Sequence, residues 1–327
     1  PIDTNPGDIF LGLDLHQEVT VAQADYLESL RNAGVRIFFV VYDILPILIP
    51  EAFPQGTDEI HKRWLSSICR LSDGVMCISQ TVADDVAEWL KTNGPKRLRP
   101  LKIGWFHIGA DIENSVPTQG LPDDASQVLN HLSSRPSFLM VGTVEPRKGY
   151  LQAIAAFEHL WNEGVDANIV IVGKEGWKDF PNDLRRTIPE IVNRLRPHPE
   201  LGRRIFWLEG ISDEYLEMIY ASSTCLIAAS EGEGFGLPLI EAAQNKLPII
   251  ARDIPVFQEV AGDQAFYFSG KEPADLADAI KRWLELYQSG VHPRSDGMAW
   301  LRWELSAERL LDIILKDQWY TEWRWNE

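Results

Sequence analysis

The most informative stretch of this chain reads Cys225-Leu-Ile-Ala-Ala-Ser230-Glu-Gly-Glu-Gly-Phe-Gly-Leu-Pro-Leu-Ile-Glu241. Its first residues form an apolar run that predicts a buried strand, and Pro238 fits the first turn of a following helix. Glycines just before a helix let backbone N–H groups approach an anion, which the positive end of the helix dipole favours. Glu233 and Glu241 can hold hydroxyl groups on either side of that anion. This layout favours a nucleotide-sugar ligand; solvated glutamates in an ordinary strand–loop–helix turn are the alternative.

The same alternation of strand and helix patterns extends along the whole chain. Short apolar runs alternate with longer amphipathic ones, which is typical of α/β proteins with parallel sheets. Strands are predicted at 8–15, 36–43, 74–79, 101–108, 137–143, 168–174, 204–209, 225–230, 248–252 and 265–268. Helices are predicted at 19–32, 57–71, 80–92, 149–163, 182–196, 213–221, 238–246, 255–261, 273–288 and 304–316, with a short helical piece from about 124 to 132.

A segment rich in proline, glycine and aspartate separates two such series. We expect a first Rossmann-like domain over 1–118, a linker over 119–136 and a nucleotide-sugar-binding domain over 137–299. The aromatic tail 300–327 is expected to pack back on the first domain, because exposed large aromatic side chains favour aggregation. An aromatic surface for a glycan or lipid acceptor is the alternative for this tail. A strand pattern close behind a start without Met suggests a truncated first domain or a module of a longer polypeptide.

Composition excludes several classes of protein. The formal net charge of −17 argues against nucleic-acid binding and weakens the case for electrostatic adhesion to acidic lipids. No apolar stretch approaches the roughly eighteen residues of a membrane-spanning helix. Cys69, Cys77 and Cys225 lack the spacing of metal ligands, and buried free thiols in a reducing compartment are expected.

A second cluster reads Val141-Gly142-Thr143-Val144-Glu145-Pro146-Arg147-Lys148-Gly149 and places adjacent cations between a predicted strand and a predicted helix. Arg147 offers a planar fork for phosphate oxygens and Lys148 a mobile point charge. Two positioned cations would stabilise the charge on a diphosphate leaving group without a metal. An Arg–Lys pair that simply faces water is the alternative on these residues alone.

Together these motifs resemble family 4 of the retaining glycosyltransferases. The spacing of Glu233 and Glu241 matches its Glu-x7-Glu pattern, and the cluster from Val141 resembles its Val-Gly-Thr-x-Glu-Pro-Arg-Lys-Asn segment, with Gly149 in place of Asn. The resemblance covers 137–315 well and 36–112 more loosely. It implies an α/β protein of the GT-B fold, in which two Rossmann-like domains with parallel sheets face an interdomain cleft.

The resemblance also implies a role for each motif residue. Arg147 and Lys148 would bind the donor diphosphate, and Glu233 would hold the transferred sugar, so these three are the expected catalytic residues. Glu241 would bind the ribose hydroxyls of the donor, and backbone near Ile211 would meet its base. The other expected donor-binding residues are Gly142, Thr143, Gly234, Phe235, Gly236 and Leu237.

Three positions depart from the family pattern or leave a choice open. Tyr42-Asp43-Ile-Leu-Pro46 is similar to the family's His-Asp-x-x-Pro segment, with Tyr in place of His. The Tyr42 hydroxyl would still be able to bond a sugar or acceptor, and Asp43 either acts there or caps a turn. Lys246 stands where the family usually has Gly, and we expect Asn245 to supply the left-handed helix cap instead. His107 is expected to be structural.

The resemblance implies transfer of a hexose from a nucleotide-sugar to a glycan or lipid-linked oligosaccharide in polysaccharide (O-antigen) synthesis, with retention and without a metal or cofactor. GDP-mannose leads as donor, ahead of UDP- and dTDP-sugars. The expected location is the cytoplasm, with peripheral association at the inner face of the plasma membrane left open. A GT-B phosphorylase or glucan synthase is a second enzyme class. The remaining alternative is a non-catalytic nucleotide-sugar or glycan-binding half of a larger polysaccharide-synthesis enzyme.

Overall fold

The computed structural model describes residues 3–111 and 117–325. In chain order, the strands of these residues are β1 (Ile9–Gly12), β2 (Arg36–Val41), β3 (Gly74–Cys77), β4 (Leu101–Trp105), β5 (Ser137–Val141), β6 (Asn168–Val172), β7 (Ile205–Leu208), β8 (Cys225–Ala228), β9 (Ile249–Arg252), β10 (Phe266–Phe268) and β11 (Thr321–Trp323). The helices are α1 (Gln17–Ala22), α2 (Ala24–Asn32), α3 (Leu45–Leu48), α4 (Thr57–Leu71), α5 (Gln80–Asn93), α6 (Ala125–Ser133), α7 (Tyr150–Asn162), α8 (Ile188–Leu195), α9 (Asp213–Ser222), α10 (Leu237–Gln244), α11 (Pro255–Ala261), α12 (Pro273–Gln288) and α13 (Trp303–Leu315).

These elements form two compact units within the described residues. The first unit takes the described residues of Pro1–Gly109, Glu233–Phe235 and Trp300–Glu327, and the second those of Ala110–Gly232 and Gly236–Ala299. Each unit has its own parallel sheet, as the two α/β series predicted. The cleft that we expect between the two domains stays a prediction.

The first unit is built on a sheet whose described strands run in the order β1-β2-β3-β4-β11. Strands β1 to β4 are parallel and adjacent in chain order, and β11 pairs antiparallel with β4. Strand β2 is buried along almost its whole length, which explains its near-continuous apolar sequence. Its Ile37 and Phe39 share a buried cluster with Trp64 and Leu65 of α4.

The aromatic C-terminal segment is part of this first unit. Trp319 stacks on Phe38 of β2 with ring centroids 5.6 Å apart. A Cβ added at Gly74 would overlap the Trp319 ring, so glycine there leaves room for the indole; a Cβ at Gly104 would overlap the Ile313 side chain and crowd the same ring. The segment after Trp319 then continues the sheet as β11.

The second unit is built on a fully parallel sheet, with the described strands in the order β10-β9-β8-β5-β6-β7. The chain starts in the middle at β5, moves outward to β6 and β7, and then returns to β8 on the other side of β5. Phe138, Phe157 and Trp283 make edge-on contacts beneath the sheet, at centroid distances of 5.6 and 5.7 Å. The strand order therefore reverses between β5 and β8.

The predicted elements agree with the observed ones except in four places. The helix predicted at 19–32 is two helices that meet at Gln23, and the helix predicted at 182–196 begins only at Ile188, because Pro189 favours the first turn of α8. Helix α3 and strand β11 were not predicted. No helix of the described residues is long and apolar enough to span a membrane.

Candidate functional site

The carboxyl ends of β5 and β8 form the point at which the strand order of the second sheet reverses. In open α/β sheets this point is where ligands bind. Helix α7 follows β5 and helix α10 follows β8, and their N-caps are Gly149 (φ 75°) and Gly236 (φ 98°). Neither glycine supplies a side-chain cap. Gly149 is buried against the carbonyl of Ala229, whereas Leu237 at the start of α10 is partly exposed, so α10 is the helix whose first backbone N–H groups are candidates for contact with an anion. At Gly149, where the family usually has Asn, a Cβ would overlap the carbonyl of Ala229, so glycine allows the helix start to pack closely on that residue.

Arg147 lies against the start of the glycine-rich loop. Its Nη1 donates to the carbonyl of Gly232 at 3.0 Å, and its own carbonyl accepts from the N–H of Glu231 at 2.8 Å. Its Nε pairs with Glu145 at 3.3 Å. The two predicted motifs of the second unit therefore meet through direct hydrogen bonds.

Lys148 extends back over the end of β5. A Cβ placed on Gly142 would lie 3.4 Å from Lys148 Nζ, so the ammonium group covers the backbone at Gly142. Gly142 itself has a φ of 138°, and its carbonyl accepts from the Tyr150 hydroxyl at 2.6 Å. The charge of Lys148 also offsets part of the rise that burial causes in the pKa of Glu241.

Glu241 lies on α10 and is half-buried. Burial raises the pKa of its carboxyl group, the hydrogen bond from Tyr220 and the charge of Lys148 lower that pKa, and Asp213 raises it. Glu241 Oε2 accepts from the Tyr220 hydroxyl at 2.7 Å. One oxygen of this carboxylate is therefore held in a defined position.

The other second-unit candidates lie along the same edge. Thr143 is exposed directly after Gly142, and Leu237 is the first residue of α10. Ile211 lies on the loop from β7 to α9, next to Ser212, whose Oγ accepts from the N–H of Tyr215 at 3.1 Å. Eight of the candidates therefore follow the carboxyl ends of β5, β7 or β8 in the second sheet: Gly142, Thr143, Arg147, Lys148, Ile211, Gly236, Leu237 and Glu241.

Glu233, Gly234 and Phe235 group with the first unit instead. The Gly234 carbonyl accepts from Ser79 Oγ at 2.8 Å, and a Cβ on Gly234 would overlap the carbonyl of Tyr42. Phe235 is buried, with its ring centroid 5.1 Å from that of His107. Its side chain is therefore a packing element, and only its backbone is available to a ligand.

Tyr42 and Asp43 both take part in local structure. The Tyr42 hydroxyl donates to the carbonyl of Leu13 at 2.7 Å. Asp43 Oδ1 accepts from the N–H of Leu45 at 2.9 Å, where α3 begins. Of the two interpretations that the sequence left open for Asp43, the structure shows the turn cap.

Arg252 is a functional candidate that the sequence analysis missed. It is 6% exposed at the end of β9, and its Nε and Nη2 donate to the carbonyl of Ala229 at 3.1 and 3.0 Å. It also donates to the carbonyl of Gly270 and to the side chain of Gln152. Ala229 directly precedes the glycine-rich loop, so this buried arginine fixes the start of that loop. The signal in the sequence was a charged residue at the end of the apolar run 248–251.

The expectation for the end of α10 was wrong. Lys246 adopts the left-handed conformation with a φ of 55°, whereas Asn245 has a φ of −87°. The Leu247 N–H donates to the carbonyl of Ala242 at 2.8 Å. This hydrogen bond closes the helix end and requires the left-handed residue directly before Leu247.

Comparison with known proteins gives one family and several relatives. Residues 123–295, just over half of the chain, match the family model described as glycosyl transferases group 1. The serotype-specific mannosyltransferase WbdA of Escherichia coli is 46% identical over 95% of this chain and 37% of its own length. The O-antigen chain mannosyltransferase RfbU of Salmonella typhimurium is 26% identical over 77% of this chain and 61% of its own length. The chain therefore spans only part of these relatives.

Solved structures resemble the chain over nearly its whole length. Sucrose-phosphate synthase from Thermosynechococcus elongatus matches with a TM-score of 0.69 at 20% identity, over 95% of this chain and 73% of that protein. Anabaena Alr3699/HepE, solved in complex with UDP, matches with a TM-score of 0.66 at 18% identity, over 94% of this chain and 79% of that protein. At such identities the likeness concerns the fold alone, and the predicted fold class is confirmed.

Proposed function

Because this chain belongs to the glycosyl transferases of group 1 and has the GT-B fold, we propose that it transfers mannose from a nucleotide-sugar to a glycan. The sugar rests on similarity to WbdA and RfbU, both named as mannosyltransferases. One observation carries the proposal. Arg147 and Lys148 follow β5 at the reversal point of the second sheet, where Arg147 donates to Gly232 in the loop that leads to α10 and Lys148 covers Gly142.

This edge suits a diphosphate. Arg147 supplies a planar donor fork and Lys148 a point charge, and the N–H groups at the start of α10 add the positive end of a helix dipole. Arg147 also pairs with Glu145, which holds its guanidinium beside the loop at Gly232. Binding the diphosphate of a nucleotide-sugar is the role that we propose for this edge.

The ends of the donor are assigned from the same loop and helix. Glu241 accepts the ribose hydroxyls, and backbone at Ile211 meets the base. Glu233 holds the transferred sugar. Backbone at Gly142, Thr143 and the loop residues 234–237 approaches the sugar and phosphates, since glycine permits close contact.

The proposed reaction retains the anomeric configuration and needs neither metal nor cofactor. The acceptor hydroxyl oxygen bonds to the anomeric carbon on the face from which the diphosphate leaves. The bond between the anomeric carbon and the diphosphate oxygen breaks, and that oxygen takes the acceptor proton. Arg147 and Lys148 stabilise the charge that develops on the leaving group.

GDP-mannose is the proposed donor, and a lipid-linked oligosaccharide of an O-antigen-like polysaccharide is the proposed acceptor. Cytoplasmic synthesis at the inner face of the plasma membrane suits both. One observation favours a second candidate, a nucleotide-sugar-binding half of a larger enzyme: the chain spans 37% of WbdA.

A ligand screen followed by a transfer assay tests the proposal. The chain is mixed with GDP, UDP and dTDP, and Tm is measured as the concentration of each is raised. At about a hundred times Kd, a bound nucleotide adds roughly 2.7 kcal/mol of stability, so GDP is expected to raise Tm most. Incubation with GDP-mannose and an oligomannoside is expected to release GDP and extend the acceptor. Binding without transfer would favour the second candidate, and no response to any nucleotide would contradict both.

A further inference from the structure

Tyr220 reaches Glu241 from a neighbouring helix. It lies on α9, 3% exposed, and its hydroxyl donates to Glu241 Oε2 at 2.7 Å. The two residues belong to different motifs along the chain, so the contact is made only in the folded unit. A buried hydroxyl aimed at a proposed ligand-binding carboxylate suggests more than a packing role.

We propose that Tyr220 is a positioning residue for nucleotide-sugar binding, because its hydroxyl holds the Glu241 carboxylate in the orientation that accepts the ribose hydroxyls. This inference rests on the proposed function. It extends that function to a residue that touches no ligand and acts through Glu241.

Electrostatics around Glu241 support the proposal. A carboxylate accepts hydrogen bonds only, and accepts two ribose hydroxyls best when it is ionised. The pKa of Glu241 is raised above its ordinary value, chiefly by burial; the hydrogen bond from Tyr220 and the charge of Lys148 offset part of that rise, and Asp213 adds to it. Burial and the neighbouring Glu241 hold the pKa of Tyr220 well above its ordinary value, so Tyr220 remains a donor at neutral pH. Its hydrogen bond thus favours the form of Glu241 that binds a diol.

The same helix offers a matched control. Tyr215 is fully buried on α9, and its hydroxyl has no hydrogen-bond partner among the described residues. Tyr215→Phe therefore removes the same atom from the same helix without breaking a hydrogen bond. Tyr220→Phe removes the hydroxyl that Glu241 uses.

The test measures Kd for GDP by calorimetry from about pH 5 to about pH 8 on wild type, Tyr220→Phe and Tyr215→Phe. Near neutral pH, Tyr220→Phe is expected to raise Kd about tenfold, the equivalent of one hydrogen bond to a charged group. The pH below which GDP binding weakens is expected to move upward, because Glu241 loses a donor that favours ionisation. With GDP-mannose, KM is expected to rise while kcat changes by less than about twofold. Tyr215→Phe is expected to follow wild type throughout.

Glu241→Gln separates positioning from general stability. In that background Tyr220→Phe is expected to add little to Kd, because its effect is exerted through the carboxylate. Equal Kd and equal pH profiles for Tyr220→Phe and Tyr215→Phe would overturn the Tyr220 proposal alone. The Tyr220 proposal would also be overturned if the loss of GDP affinity in Tyr220→Phe were independent of pH and equally large in the Glu241→Gln background. A wild-type chain that binds no GDP would instead overturn the proposed function and this inference with it.

Discussion

The two sheets of this protein are built alike but differ in strand order. In the first sheet, β1 to β4 follow one another in chain order, and β11 closes the edge. In the second, the order reverses between β5 and β8. Crossover connections leave in opposite directions at such a reversal and open a crevice at the strand ends. The cations and the glycine-capped helices lie at this reversal, which concentrates the proposed chemistry in the second unit.

The polar residues at the strand ends are used differently in the two units. In the first, Tyr42 donates to a backbone carbonyl and Asp43 caps α3. In the second, Lys148 lies over Gly142 and lowers the pKa of Glu241 across the edge of the sheet. Because strand order reverses only in the second of the two described sheets, we expect the ligand there rather than at the first sheet.

Removing the two cations should have the largest effect. Arg147→Ala combined with Lys148→Ala is expected to lower kcat about a thousandfold, because the charge on the leaving diphosphate loses its stabilisation. Steady-state transfer from GDP-mannose measures the loss. Arg294→Ala with Lys281→Ala removes a surface Arg and a surface Lys from the same unit and should change kcat by less than about twofold. Near-normal turnover by the first double variant would contradict the leaving-group assignment.

The stability of an Arg252 variant sharpens the comparison between the two units. Arg252→Ala is expected to lower the free energy of unfolding by about 3 kcal/mol, because the carbonyls of Ala229 and Gly270 lose buried donors. Urea denaturation measures this, and the exposed Arg203→Ala serves as the control. Because Ala229 precedes the glycine-rich loop, donor affinity should fall as well. A loss of less than about 0.5 kcal/mol would mean that the start of the loop is held by other contacts.

Matched carboxylate variants test the comparison directly. Glu241→Gln is expected to raise KM for the donor by about tenfold or more, since a charged acceptor for two hydroxyls becomes a neutral amide. Asp43→Asn should change kcat and KM less, by under about fivefold, because the amide oxygen can still accept from the Leu45 N–H. If the fold-decrease in kcat caused by Asp43→Asn were larger than the fold-increase in KM caused by Glu241→Gln, Asp43 in the first unit would contribute to the reaction beyond the hydrogen bond to Leu45.

A buried carboxyl in the first unit provides the smallest effect and a pH signature. Burial, then Asp84 and Asp43, raise the pKa of Asp85 to about 6. Below the ordinary pKa of about 4, the carboxyl group is protonated in both the folded and the unfolded chain. As the pH rises from about 4 through 6, the unfolded chain ionises first, so the folded state loses stability. Asp85→Asn should therefore have the same free energy of unfolding as wild type below about pH 4. Above pH 6 its free energy of unfolding should be higher by about 1 kcal/mol, a value that allows for solvent screening.

Thermal unfolding across this pH range measures the Asp85 effect. A constant difference between variant and wild type would contradict it. The neighbours of Asp85 named here only add to its burial cost, whereas Lys148 and Tyr220 offset that of Glu241. Asp85 in the first unit and Glu241 in the second thus differ as the two units do: of the two carboxyl groups, Glu241 has neighbours that offset its burial.

Much of the fold was predictable because local patterns carried it. Helices α4, α11 and α12 occur at the predicted bounds, and Ser79, a residue type that favours helix N-caps, caps α5. All three cysteines are buried and free, as expected. These features depend on periodicity, capping residues and apolar runs, which are readable within a few residues.

The remainder depended on distant contacts. Strand β11 has three residues and no periodicity, and it forms because Trp319 packs on Phe38 before it. The Tyr220–Glu241 and Arg252–Ala229 hydrogen bonds join residues from separate motifs. Lys246 takes the left-handed conformation because of the hydrogen bond that ends α10, against its own preference. Sequence patterns predicted the candidate site but not the hydrogen bonds around it.

The central claim is that a donor diphosphate binds at the carboxyl ends of β5 and β8. A crystal structure of the chain with bound GDP tests it most directly. Diphosphate oxygens are expected within about 3 Å of the Arg147 guanidinium and the Lys148 ammonium, at the start of α10. A diphosphate bound at the first sheet, or away from both cations, would contradict the account.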